Sequence, residues 1–109
     1  MEKNRDDVQS IIDELKRELQ RIYRDRLKGV VLYGSYARGE ATEDSDIDIL
    51  VVVDEVDNPF TESRRFSEIV WRISLENDIV ISAIAVDSDK FENSELPVFA
   101  IAREEGVRV

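Results

Sequence analysis

The chain has 109 residues, a net charge of −10, 42% hydrophobic residues, and neither histidine nor cysteine. One core serves a chain of that size, so residues 1–109 read as a single domain, and no apolar run reaches the ~20 residues that span a bilayer. Zinc sites built on imidazole or thiolate, disulfides, and Ser-His-Asp or Cys-His nucleophile systems are excluded, which leaves carboxylates to bind any metal, and oxygen ligands suit Mg²⁺ or Mn²⁺.

The charge is unevenly spread. Residues 1–28 hold eight Lys and Arg against seven Asp and Glu, and the remainder holds seven against eighteen. That acidic body disfavours nonspecific contact with nucleic-acid phosphates. The charged opening, with no apolar segment behind it, argues against a signal peptide, and the lack of cysteine fits a cytoplasmic setting.

Residues 6–27 predict an amphipathic helix. Val8, Ile11, Ile12, Leu15, Leu19 and Ile22 recur at three- and four-residue steps, and Leu27, eight residues after Leu19, stacks on the same face. Asn4 or Asp6 is placed to cap it and Gly29 to end it. The basic crowd in its second half, Lys16 to Lys28, reads as a solvated face rather than a phosphate patch.

Val30–Tyr33 is a short apolar run between Gly29 and Gly34 and predicts a buried strand. Residues 47–53, Ile-Asp-Ile-Leu-Val-Val-Val, are β-branched and predict a second. Asn58-Pro59 breaks the chain. Residues 61–76 predict a helix with Phe66, Ile69, Val70 and Ile73 on one face and Thr61 as cap. Ile79–Val86 predicts a third strand, apolar on both faces and therefore central.

After it, residues 87–91 predict a short helical turn, Pro97 opens a helix that stops near Gly106, and residues 107–109 predict an edge strand. The order α-β-β-α-β followed by small elements describes an α/β (α+β) unit: a small mixed sheet backed by helices.

The most specific feature is Gly34-Ser35, then ten residues, then Asp46-Ile47-Asp48. Side chains alternate along a strand, so Asp46 and Asp48 point to one side with their Cα atoms ~6.6 Å apart. Two carboxylates about 5 Å apart repel by roughly 3 kcal/mol at an effective dielectric of ~20, a penalty that a divalent cation reverses. Gly34 opens backbone angles closed to other residues and lets a phosphate approach closely. Ser35 offers a hydroxyl, the N–H groups after it can form an anion-binding nest, and Arg38 offers a fork of donors.

Such parts suit phosphoryl transfer assisted by two metal ions. A third carboxylate is usually wanted as ligand or proton acceptor. Asp78, at the head of the third strand, is the first candidate, ahead of Asp54 and Glu76. Other phosphate motifs fail. Gly34 and Gly39 have P-loop spacing, but Glu40-Ala41 replaces the required Lys-Ser/Thr, and no Gly-x-Gly-x-x-Gly occurs.

Gly34, Ser35, Asp46 and Asp48 match, position for position, the pattern of the minimal nucleotidyltransferases of the DNA polymerase β-like superfamily, which this chain resembles. Tyr36-Ala37-Arg38-Gly39 and Asp44-Ser45 are also similar to that family. The resemblance implies the polymerase β-like fold and transfer of AMP from ATP to a hydroxyl with release of pyrophosphate. It assigns Mg²⁺ to Asp46 and Asp48 and the triphosphate to Gly34-Ser35. The third acid falls on Asp78, where Glu-Asn-Asp-Ile-Val departs from the usual Val-Asp-Leu-Val. Small members of this kind resemble antitoxins that attach AMP to a tyrosine of a HEPN-type toxin, so a partner protein is implied. The alternatives are stoichiometric neutralisation of a partner without catalysis, and adenylylation of a small hydroxyl compound. A homo-oligomer is compatible with the sequence.

Overall fold

The computed structural model describes residues 5–42 and 44–109. Helix α1 (Arg5–Tyr23) leads through a 3-10 turn (Arg24–Arg26) into strand β1 (Leu27–Tyr33). The short helix α2 (Gly34–Arg38) and a loop connect it to β2 (Ile47–Val53). Helices α3 (Pro59–Ser63) and α4 (Ser67–Asn77) cross to β3 (Ile81–Asp87), and α5 (Ser88–Asn93), α6 (Pro97–Glu105) and β4 (Val107–Arg108) complete the chain. The sheet order is β3-β2-β1-β4, with β1 antiparallel to both β2 and β4, and β2 parallel to β3. This is the mixed sheet backed by helices that the sequence predicts.

Strand alternation divides the core in two. Val30 and Leu32 of β1, Ile47, Ile49, Val51 and Val53 of β2, and Ile81 and Ala85 of β3 face α1 and α4. There they meet Val8, Ile11, Ile12, Leu15 and Leu19 from α1 and Phe66 and Ile73 from the α3–α4 segment. Val31, Leu50, Val52 and Val86 face the other way, onto Phe91 of α5 and Ala102 of α6. Each fully buried Ile or Leu contributes roughly 1.5–3 kcal/mol of transfer free energy. β2 is apolar at every position from Ile49 to Val53, while Asp48, in step with Leu50 and Val52, lies on the α5–α6 side.

The first helix ends earlier than its periodicity predicts. Arg24 adopts φ 51°, which stops α1 after Tyr23, and Leu27, expected on the helix, pairs with Val53 in the sheet. Gly29 consequently does not end a helix; it sits in β1 at a register shift against β2. The cap expected at Asn4 lies outside the described residues, as does the Asp6 side chain. Asn58 rather than Thr61 caps the next helix, its side chain accepting from the Phe60 and Thr61 N–H groups. β3, expected to be central, is an edge strand: helices cover parts of both its faces, which gives an edge strand the apolar pattern of an inner one. The turn after Asp87, the helix from Pro97 and the final edge strand form as predicted. Among the described residues, no helix is long and apolar enough to cross a membrane.

Candidate active site

β1 delivers the chain to Gly34 at φ 72°, in the left-handed region that favours glycine. A side chain there would also collide with the carboxylate of Asp48, whose Cγ lies 3.2 Å from where a Cβ would stand. The glycine is thus required twice, by its backbone and by the acid resting on it. α2 starts at this bend, and the residue before it, Tyr33, supplies no side-chain cap. The opening N–H groups of α2 therefore receive no capping side chain from that residue, and Ser35 is half-buried beside them. Gly39, also left-handed at φ 73°, closes the turn, and the Glu40 N–H donates to the Ser35 carbonyl at 2.9 Å.

The return to β2 is fastened by a small polar turn. The Ser45 hydroxyl accepts from the Thr42 N–H at 2.9 Å, and the Ser45 N–H donates to the Thr42 carbonyl at 3.1 Å. Asp46 follows, exposed, and Asp48 lies two residues on, half-buried. Burial pushes the Asp48 carboxyl above the usual carboxylate range, and the neighbouring Asp46 charge adds to the rise, while Arg38 opposes it. Tyr36 and Tyr33 are likewise raised, each by burial first, then by Asp46 and Asp48 respectively. These mutual effects bring Asp46, Asp48, Tyr33, Tyr36 and Arg38 into one electrostatic neighbourhood around Gly34. Arg38 is steadied by Glu40 (Nε to Oε2, 3.1 Å) and by Glu105 of α6 (3.9 Å).

The structure therefore brings together Gly34, Ser35, Arg38, Asp46 and Asp48. Asp78 does not complete a three-acid group with Asp46 and Asp48. Asp78 is the exposed C-terminal cap of α4, held at φ 51°, and precedes β3 instead of standing on it. Asp54 lies beyond the far end of β2, bonded to the Ser88 hydroxyl and to Lys28 at 3.3 Å, and Glu76 pairs with Arg72 on α4. Among the described residues, no three acids group as a metal centre. The position level with Asp48 on β3 is Ser82, and the one level with it on β1 is Tyr33. Tyr33, Asp48 and Ser82 thus form one row across three strands. Sequence reasoning missed the two outer members because nothing in the chain specifies the register between strands.

Asp46 and Asp48 suit a hard divalent cation. Asp48 stands on β2 and Asp46 just before it, and the Asp48 carboxyl is raised in pKa by burial and then by Asp46; a cation relieves that repulsion.

A sequence-family model for a nucleotidyltransferase domain matches residues 12–102. A Methanocaldococcus jannaschii protein whose name proposes protein adenylyltransferase activity is 41% identical over 78 residues, which is 72% of this chain and 78% of that protein. The protein adenylyltransferase MntA of Thermococcus cleftensis is 38% identical over 80 residues, covering 72% of this chain and 77% of that one. A Sulfolobus solfataricus crystal structure proposed to be a nucleotidyltransferase superposes with a TM-score of 0.61 at 25% identity, over 91% of this chain and 76% of the other. A toxin–antitoxin crystal structure with AMP-PNP shares the fold, with a TM-score of 0.58 at 21% identity over 87% of this chain and 69% of the other.

Proposed function

Because this chain belongs to the nucleotidyltransferase domain family and is a nucleotidyltransferase, we propose that it transfers AMP from ATP to a hydroxyl of a partner protein. The observation that carries this reading is the Asp48 carboxylate resting on the Gly34 bend, with Asp46 beside it. In the proposed reaction the hydroxyl oxygen bonds to the α-phosphorus and the bond to the β-phosphate oxygen breaks. Pyrophosphate leaves, and the hydroxyl proton passes to solvent.

Asp46 and Asp48 would hold Mg²⁺, as one ion or two. When bound, the metal offsets the triphosphate charge and acidifies the attacking hydroxyl. The side-chain-free face of Gly34 admits the phosphates close to the backbone. The Ser35 hydroxyl and the N–H groups opening α2 donate to phosphate oxygens, and Arg38, steadied by its two glutamates, faces them as a fixed cation.

The relatives named for protein adenylylation support a protein acceptor. We read that acceptor as a tyrosine of a HEPN-type toxin, with this chain as its antitoxin, working in the cytoplasm where ATP and Mg²⁺ are available. The toxin–antitoxin assembly that shares the fold is in keeping with that reading. Incubation with labelled ATP, Mg²⁺ and the product of the adjacent gene tests it. Label on that product, lost in Asp46→Ala and in Asp48→Ala, is the expected result.

A second reading, neutralisation by binding alone, is favoured by one observation: Ser82, not an acid, stands level with Asp48 on β3. Equal neutralisation by the wild type and both variants would establish it and remove the first.

A further inference from the structure

The proposed chemistry needs a hydroxyl beside Asp48, and the chain holds one of its own there. Its three tyrosines stand in different places. The Tyr23 hydroxyl, at the end of α1, is bonded to the Glu62 carboxylate at 2.9 Å. Tyr36 turns to the α1 side of the sheet, where it lines a cavity with Val8, Ile12 and Leu32. Tyr33 stands level with Asp48 on the neighbouring strand, and residues directly opposed on paired strands project from the same face.

The Tyr33 side chain does not stay over β1. It shares the wall of a groove of about 600 Å³ with Ser82 and Ile84 of β3, two strand spacings away, about 9.6 Å. Only a ring laid across β2 reaches that wall. The ring packs on the apolar cluster that contains Leu50 and Val86, which fixes its direction, and it is half-buried, so a ligand can still meet it. Asp48 meanwhile leans back onto the Gly34 bend. The phosphate cradle at Gly34-Ser35 and the Tyr33 hydroxyl therefore lie on opposite flanks of the Asp48 carboxylate. Displacement at phosphorus asks for that disposition, with the attacking and leaving oxygens in line on opposite sides.

We infer that Tyr33 is an adenylylation site of the chain itself; the inference rests on the transfer reading above. The Tyr33 Oη bonds to the α-phosphorus of ATP held by the same chain, and the bond from that phosphorus to the β-phosphate oxygen breaks. Pyrophosphate leaves, and the phenol proton passes to solvent. The product is a phosphodiester on β1 whose adenylyl group fills the space that an outside acceptor would use, so the reaction stops after one turnover per chain. Burial, and then the Asp48 charge, hold the Tyr33 hydroxyl above its ordinary pKa. It is therefore a slower acceptor than an exposed tyrosine.

The purified chain is incubated with Mg²⁺ and ATP labelled at the α-phosphate, with and without the product of the adjacent gene. Trypsin releases residues 29–38 as one peptide that holds both Tyr33 and Tyr36, so fragmentation in the mass spectrometer locates the label. One adenylyl group on Tyr33 is expected, with the labelled fraction at a given time unchanged when the chain is diluted tenfold. Tyr33→Phe keeps the ring and removes only the hydroxyl; its label should fall at least tenfold while its thermal melt matches the wild type. A tagged Asp48→Ala chain mixed with the wild type should stay unlabelled. Label on Tyr36, equal label in Tyr33→Phe, or transfer to the tagged chain overturns the assignment. An unlabelled chain beside a labelled gene product also overturns it and leaves the transfer reading standing, whereas no label on either removes both.

Discussion

Adding a single methyl group at Gly34 tests the contact on which the site is built. Two costs arise in Gly34→Ala. A residue with a side chain at φ 72° carries the left-handed penalty of about 1–2 kcal/mol. The new Cβ also lands on the Asp48 carboxylate, which must turn off its rotamer at a further ~0.5–1.5 kcal/mol. The expected destabilisation is roughly 2–3 kcal/mol. In an Asp48→Ala background the two closest of these contacts are gone and the residue-48 Cβ stays at 3.4 Å, an ordinary contact. The first cost then stands alone, and the loss falls to about 1–2 kcal/mol. Urea melts of the wild type, both single variants and the double variant measure the difference, a coupling of roughly 1 kcal/mol. Independent sites add within ~0.3–0.5 kcal/mol. A coupling below that range would mean that the carboxylate does not rest on the glycine, and the architecture argued for the site would fall.

Four further outcomes are expected. The folded state binds a proton at Asp48 more tightly than the unfolded chain does, so stability falls as pH rises through the range between the two pKa values. Asp48→Asn should therefore be more stable than the wild type without metal at neutral pH, with the advantage vanishing in acid; the reverse order in pH-dependent melts would contradict it. Mg²⁺ at a hundred times its dissociation constant should stabilise the wild type by ~2.7 kcal/mol and leave Asp46→Ala unmoved, read by thermal shift against EDTA. Tyr23→Phe deletes the bond from a 3% exposed tyrosine to the Glu62 carboxylate (2.9 Å) and should cost about 1–2 kcal/mol; a loss below half of that would show the bond to be dispensable. Asn58→Ala removes two acceptor contacts at the start of α3 and should cost ~1 kcal/mol in denaturant melts.

The sequence made some elements plain and hid others for identifiable reasons. β2 runs over the residues that its β-branched stretch predicts, because side chains packed on both faces of a strand leave an unbroken apolar run. The Gly34 bend and both aspartates were legible because the distance that matters lies within one strand–turn–strand segment. Asp78 misled because a polar residue after a helix and before an apolar run describes a helix cap as well as a strand head. The left-handed φ of Asp78 decides for the cap. Ser82 was silent because its place level with Asp48 arises from pairing between strands that are distant in the sequence. The end of α1 was hidden in a different way: Leu27 reads as part of the helical face, whereas the left-handed φ of Arg24 stops the helix and Leu27 pairs with Val53 in the sheet.

The mixed sheet divides the assembly of this protein into early and late stages. β1 and β2 are joined by a short connection, so their antiparallel pairing closes a small loop, whereas β3 reaches β2 only after the chain has passed through α3 and α4. Closure entropy grows with loop length, and nonlocal pairing is slower. The glycine bend and its two acids are therefore expected to come together on a nascent hairpin before the third strand arrives. During that interval the outer side of β2 presents a bare, valine-rich border, and it is there that a newly made chain is most exposed to sticking to its neighbours.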